Sequence, residues 1–236
     1  MTVVFKDANL NEAIAGISGE PADWQELNLS GKNLTSLEGL EQCAQLISLD
    51  VSVNDVEAIK PICSLVHLEK LYAQRNPFMD FSALKKLQKL KELRLGGTWE
   101  DYDVGELTLE SYGPAWGETV TTTVLPHLVP LQNLQTLAFY NHGLVSLNQL
   151  QKLPKLRKLE LIRGSRTIKL STLAENRTIE EMFLVHTACT NLKCLRTFHK
   201  LKKLVIAGMS KKRLAEISHQ VKDLEADGVS VTVDCG

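Results

Sequence analysis

The sequence predicts an α/β solenoid: short parallel strands on a concave face, 3₁₀ or short helical returns on the convex face, and a helical cap at each end. Three observations predict it. An apolar pattern recurs with starts at residues 24, 46, 68, 90, 134, 156, 179 and 201, so the steps are 22, 22, 22, 44, 22, 23 and 22. A second apolar pattern, at three-residue steps, fills the other half of each unit. Both ends carry helical signals that close such a stack.

The first half of each unit is a strand. Leu46-x-x-Leu49-x-Val51-x-x-Asn54 and Leu68-x-x-Leu71-x-Ala73-x-x-Asn76 show the full form. Trp24, Leu90, Leu134, Leu156, Ile179 and Leu201 begin the others. The last two apolar residues alternate, as in a strand with one buried face. Like strands of successive units pair in parallel, which requires a return connection. That return is the three-step half: Val56, Ile59, Ile62 and Leu65; Phe78, Phe81, Leu84 and Leu87; Leu144, Leu147, Leu150 and Leu153. The Asn bonds backbone groups inside the corner, where regular partners are lacking. The first unit has Lys32 in its place, and the sixth, one residue longer than the 22-residue step, has Gly164.

The whole chain reads as one domain. Residues 1–23 form an N-terminal cap, 24–209 the eight repeats with an insertion at about 99–122, and 210–236 a C-terminal cap. Asp7 caps a helix whose Leu10, Ala13, Ile14 and Ile17 share a face, with Gly19 and Pro21 as stops. Ser210 caps a second helix bearing Leu214, Ile217, Val221 and Leu224, which Gly228 ends. Val229, Val231 and Val233 then alternate like a last strand beside the final unit.

These units resemble the 22-residue leucine-rich repeats of bacterial internalins and of the phosphatase-1 regulatory subunit built from the same unit. The opening Phe5-x-Asp7-x-Asn9-Leu10-x-x-Ala13-Ile14 is similar to the helical cap preceding such repeats in bacterial proteins. The resemblance spans roughly residues 3–209. It implies a leucine-rich-repeat horseshoe that binds a protein on its concave sheet through variable positions, and it names no partner.

Residues between the buried leucines face that hollow. One column reads Asn28, Asp50, Tyr72, Arg94, Ala138, Glu160, Phe183 and Val205; the next reads Ser30, Ser52, Gln74, Gly96, Tyr140, Ile162, Val185 and Ala207. Small polar residues in the first units give way to Tyr140, Ile162, Phe183, Val185 and Val205 later. Strands about 4.8 Å apart join these into one apolar patch, the usual sign of an interaction site. Tyr72, Arg94, Arg163 and His186 form its polar rim. Cover by the inserted loop or by a second copy is the alternative.

The insertion is the other candidate. Residues 99–118 hold Glu100, Asp101, Asp103, Glu106, Glu110 and Glu118 without Lys or Arg, and the aromatics Trp99, Tyr102, Tyr112 and Trp116. Loops on rigid scaffolds concentrate binding residues, and this composition suits a basic partner surface. A solvated decoration pinned by its aromatics is the bland counterpart.

Lys plus Arg number 27 against 28 Asp plus Glu, a net charge of −1 that gives no long-range pull on nucleic acid or anionic lipid. The N-terminus lacks a secretory signal and no apolar run approaches 18 residues, so neither signal-led export nor membrane insertion is expected. Five scattered cysteines fit reduced thiols in a cytoplasm. Phosphate-binding, nucleophile-elbow and zinc-protease motifs are missing. Cys189, Cys194 and His199 lack paired zinc spacing, and Cys189 falls at a core position. Asp101 and Asp103 lack the rest of a calcium loop. The expectation is a non-enzymatic module without cofactor or metal that binds an unidentified protein: a bacterial immunity or regulatory protein, or an effector. A homo-oligomeric scaffold, such as a homodimer, is the second reading.

Overall fold

The computed structural model describes residues 5–97, 122–173, 176–189 and 191–234. Among these residues nine strands form one sheet with neighbours in chain order: β1 (Glu26–Asn28), β2 (Ser48–Asp50), β3 (Lys70–Tyr72), β4 (Glu92–Gly96), β5 (Thr136–His142), β6 (Lys158–Ile168), β7 (Glu181–Cys189), β8 (Lys203–Ala207) and β9 (Ser230–Asp234). Every pairing is parallel, and Leu27, Leu49, Leu71, Leu93, Leu137, Leu159, Met182, Leu204 and Val231 lie side by side in register. The 22-residue step is thus the stacking step. This is the architecture of a leucine-rich-repeat solenoid.

The returns are 3₁₀ segments, for example Lys60–Ser64, Ser82–Lys86 and Asn148–Lys152. Their three-step side chains and the strand leucines fuse into a single core running from Phe5 to Val229. A unit buries its apolar edge only against its neighbours, so stability accrues along the stack.

Asn54 and Asn76 do what the corner requires. The Asn54 Oδ1 accepts from the N–H groups of Lys32 and Leu34, and its Nδ2 donates to the carbonyls of Leu29, Val51 and Ser52. Asn76 repeats the motif one unit later, with Val56 N–H and the Val51, Ala73 and Gln74 carbonyls.

Departures from the Asn are more numerous than the sequence reading allows, because other side chains occupy the same place. His142 and Thr187 lie there fully enclosed in β5 and β7. Thr187 Oγ1 donates toward the Leu161 and Val185 carbonyls and accepts from Gly164 N–H, reproducing part of the amide's role. Gly164 sits between the two because a Cβ there would lie 2.8 Å from His142 Cε1 and 3.2 Å from Thr187 Cγ2. Between Gly164 and Ile168 the ladder shifts register, four steps of β6 running against two of β7.

The position before the Asn forms a left-handed column. Gly31, Val53, Arg75, Asn141, Arg163, His186 and Gly208 all have positive φ. For Val53, at φ 58°, the conformation is costly, since a β-branched side chain crowds its own backbone there.

The ends close with α1 (Ala8–Ile14) and α3 (Lys211–Ala226); α2 (Leu125–Leu128) is a short turn where the repeat resumes. Asp7 caps α1 through Leu10 N–H and also accepts from the Thr35 N–H and hydroxyl and from Ser36 N–H. Burial alone raises its pKa, but these bonds prevail and hold the carboxyl below the ordinary range. The first helix is shorter than its apolar spacing suggests: it stops at Ile14, and Ile17 is exposed. Ser210 caps α3, and Gly228 follows it at φ 88°.

The insertion does not disturb the ladder, since Leu93 pairs with Leu137 as directly as Leu71 with Leu93. Val124, Leu125, Leu128 and Leu131 resume the core beyond it.

Candidate functional site

The open face of the sheet carries three columns, set by alternation along each strand. The first reads Glu26, Ser48, Lys70, Glu92, Thr136, Lys158, Glu181 and Lys203; the sequence reading left it out. The second and third contain the candidate residues. Tyr140, Ile162, Val185 and Ala207 are register partners in a row, and Glu160, Phe183 and Val205 form the row beside it.

The later units therefore present Tyr140, Ile162, Phe183, Val185 and Val205 together on the open face, while Met182, Leu184, Phe139 and Leu161 point into the core. None of the five is fully exposed; each is half-buried by its neighbours. Ala138, by contrast, is buried, because its methyl lies between the longer side chains of Arg94 and Glu160.

A polar lattice threads this surface. The Arg94 guanidinium lies 4.9 Å from the Tyr72 ring centroid and pairs with Glu92 at 3.1 Å. It also hydrogen-bonds Tyr140, while the Tyr72 hydroxyl donates to Glu92. Burial pushes both phenols above their ordinary range; for Tyr72 the Glu92 carboxylate adds to this, and for Tyr140 the Arg94 charge opposes it. Lys158 pairs with Glu160 at 2.6 Å. The ammonium groups of Lys158 and Lys203 lie 4.8 Å and 5.2 Å from the Phe183 ring centroid, so Phe183 is flanked by two cations. Among the described residues, the buried Arg94 Nε and Gln74 Oε1 have no hydrogen-bond partner.

Arg163 and His186 stand in the left-handed column, where the strands leave the open face. The His186 ring covers Gly208, where a Cβ would lie 2.3 Å from it. Trp99, Glu100, Asp101, Tyr102, Asp103 and Trp116 lie outside the described residues. Glu92, Lys158, Glu160 and Lys203 are the site residues that sequence reasoning missed. The same 22-residue step, applied two positions earlier in each strand, identifies Glu92, Lys158 and Lys203; Glu160 stands in a column already read, passed over for its apolar neighbours.

Cys189 is buried, and burial pushes its thiol up to about 11, away from the thiolate that a metal or a nucleophilic role requires. Among the described residues no three His, Cys, Asp or Glu side chains converge as a metal site, and no helix is long and apolar enough to cross a membrane.

No family model and no curated relative matches the chain. Solved structures do. Internalin C2 of Listeria monocytogenes is 19% identical with a TM-score of 0.67, over 98% of this chain and 95% of that one. Another internalin of Listeria monocytogenes is 21% identical with a TM-score of 0.64, over 99% of this chain and 70% of that one. A leucine-rich-repeat protein of Leptospira interrogans is 19% identical with a TM-score of 0.59, over 96% of this chain and 52% of that one. These likenesses concern the fold.

Proposed function

We propose that this leucine-rich-repeat solenoid is a non-enzymatic binding module that grips one protein partner on the open face of its later strands. The observation that carries the proposal is the row Tyr140–Ile162–Val185 beside Phe183 and Val205. These are large side chains at positions where the fold tolerates polar ones, held half-open on four consecutive strands, β5 to β8. The fold supports the reading, because solenoids offer extended binding surfaces and a rigid sheet fixes side chains for recognition at low entropic cost.

The partner chemistry follows from the lattice. Tyr72, Arg94, Tyr140 and Phe183 are of the types that dominate binding energy when desolvated, and their flanking charges exclude water at the rim. An apolar or aromatic protrusion fits between Tyr140 and Phe183, with hydrogen-bonding groups reaching Arg94 and Gln74. The acids Glu100, Asp101 and Asp103 of the insertion add a preference for a basic partner, as for an immunity or regulatory protein.

The test is the double variant Tyr140→Glu with Phe183→Glu. The carboxylate introduced at position 183 falls between Lys158 and Lys203, and the one at position 140 beside Arg94, so the fold accommodates both changes. The partner captured by the parent chain and identified by mass spectrometry is lost from the double variant, with the circular dichroism and melting temperature retained. Undiminished capture by a folded double variant refutes the proposal. Neutralising Glu100, Asp101 and Asp103 flattens the salt dependence of the association rate; an unchanged dependence removes the loop from the account.

A further inference from the structure

The last strand leaves an edge that the rest of the described chain does not cover. In a parallel ladder, alternate residues turn both backbone groups to the same neighbour. Ser230 N–H donates to the Lys202 carbonyl at 2.8 Å, and Gly208 N–H donates to the Asp234 carbonyl at 3.1 Å. Ser230, Thr232 and Asp234 therefore face β8, and Val231 and Val233 direct their N–H and C=O groups outward. The middle of the strand, Val231-Thr232-Val233, has high β propensity, and neither Pro, Lys nor a bulge blunts it; its one charge, Asp234, stands at the end of the strand. At the opposite end β1 spans only three residues and carries Glu26. Beside the free edge lies a groove of about 380 Å³ lined by Leu214, Ala215, Ser218, Val221 and Lys222 of α3 and by Val233, which is 40% exposed.

We propose that this edge pairs with the same edge of a second copy of the chain, in antiparallel fashion about a two-fold axis at Thr232. Val231 then faces the partner's Val233 and Val233 the partner's Val231, so all four outward N–H and C=O groups of each strand segment are used. An isologous interface demands a surface complementary to itself, and the outer face of α3 meets that demand. Its exposed residues include Lys211, Ser218 and Glu225, with the opposite charges seven residues either side of Ser218. A two-fold axis near Ser218 brings each Lys211 to the other copy's Glu225 and closes Leu214 and Val221 over the groove. Strand rise and helix rise place Thr232 and Ser218 at similar heights above the Gly228 turn, ~13–15 Å. The charge complementarity and the edge pairing therefore share one axis. The edge lies two strands beyond Phe183, but it is built of outward backbone groups and the outer face of α3 rather than of the Tyr140–Phe183 side chains, so different variants test the two proposals.

Light scattering coupled to size exclusion, across a concentration series and with a reductant present so that Cys235 forms no disulfide, tests it. The chain runs at twice its monomer mass at the upper concentrations. Val233→Pro removes an outward N–H without touching the β8 ladder and weakens the dimer at least about tenfold with the circular dichroism unchanged. Lys211→Glu and Glu225→Lys singly weaken it about tenfold each, and the double exchange K211E/E225K restores it to within about threefold. A monomer at every concentration overturns the proposal, as it would if the edge instead takes an extended segment of another protein. A dimer indifferent to Val233→Pro, or to both single reversals, overturns it equally.

Discussion

His142 makes the corner of β5 sensitive to acid. Its ring is fully enclosed, and burial lowers its pKa from the ordinary 6.5 to about 4. Leu144 N–H donates to Nδ1 at 3.4 Å, so Nε2 carries the ring proton, and among the described residues that N–H has no acceptor. The folded state refuses a second proton that the unfolded chain accepts below pH 6.5. Stability is therefore complete above pH 6.5 and lost as pH falls toward 4. The separation of 6.5 and about 4 amounts to about 3 kcal/mol over the whole window. That is a large share of the ~5–15 kcal/mol that holds a typical domain folded. His142→Asn supplies the amide that Asn54 and Asn76 carry at the same repeat position and removes the titration. Asp7, whose pKa is lowered, contributes stability above 3.8 that is lost only below it, so the two groups act in separate windows. Urea unfolding of the parent and of His142→Asn at pH 7.5, 6, 5 and 4.5 measures the effect. The stability difference moves by about 2 kcal/mol in favour of the variant between the first and last pH. Parallel pH profiles for the two proteins would refute the reasoning.

Other perturbations read the same architecture. Asn54→Ala strands the Leu34 N–H and the Leu29 carbonyl inside the corner and frees the half-buried Lys32 N–H, while the Val51 and Ser52 carbonyls keep Asn76 and Gly31; it lowers stability by about 2–3 kcal/mol in urea unfolding, and a loss under about 1 kcal/mol contradicts the corner assignment. Val53→Gly relieves a left-handed β-branched residue that is 38% exposed; it raises the melting temperature, with a gain of about 1 kcal/mol, and a lower value argues that the strain is absent. Gly164→Ala drives a methyl against His142 and Thr187 and costs about 1–3 kcal/mol. The cost shrinks in a His142→Ala background, which a double-mutant cycle measures as coupling; strict additivity would place the two residues out of contact.

The solenoid was legible because its cause is arithmetic. Leucines at a 22-residue step force like strands into register, and the structure pairs Leu27 through Leu204 on that step. The corners were less legible. His142 and Thr187 satisfy or fill the Asn site by different chemistry, and a pattern written for Asn passes over both. The left-handed column is a backbone property, hidden where the residue is Val53, Arg163 or His186 rather than Gly. Ile17 shared a helical spacing with Leu10 yet lies beyond the end of α1, because spacing marks a face and not a terminus. The open face was half legible. Alternation placed Tyr140 and Phe183 on it, but the charges screening them belong to the neighbouring column, and Ala138 sinks between side chains that only the stack brings together.

The binding role of the open face is tested most directly by photo-crosslinking from two positions. Benzoylphenylalanine replaces Tyr140 on the open face in one protein and Met79, 83% exposed and away from that row, in the other. An adduct with the bound partner forms from position 140 and not from position 79 if the Tyr140–Phe183 row is the docking surface. An adduct from position 79 alone places the partner on the other side of the solenoid and contradicts the account.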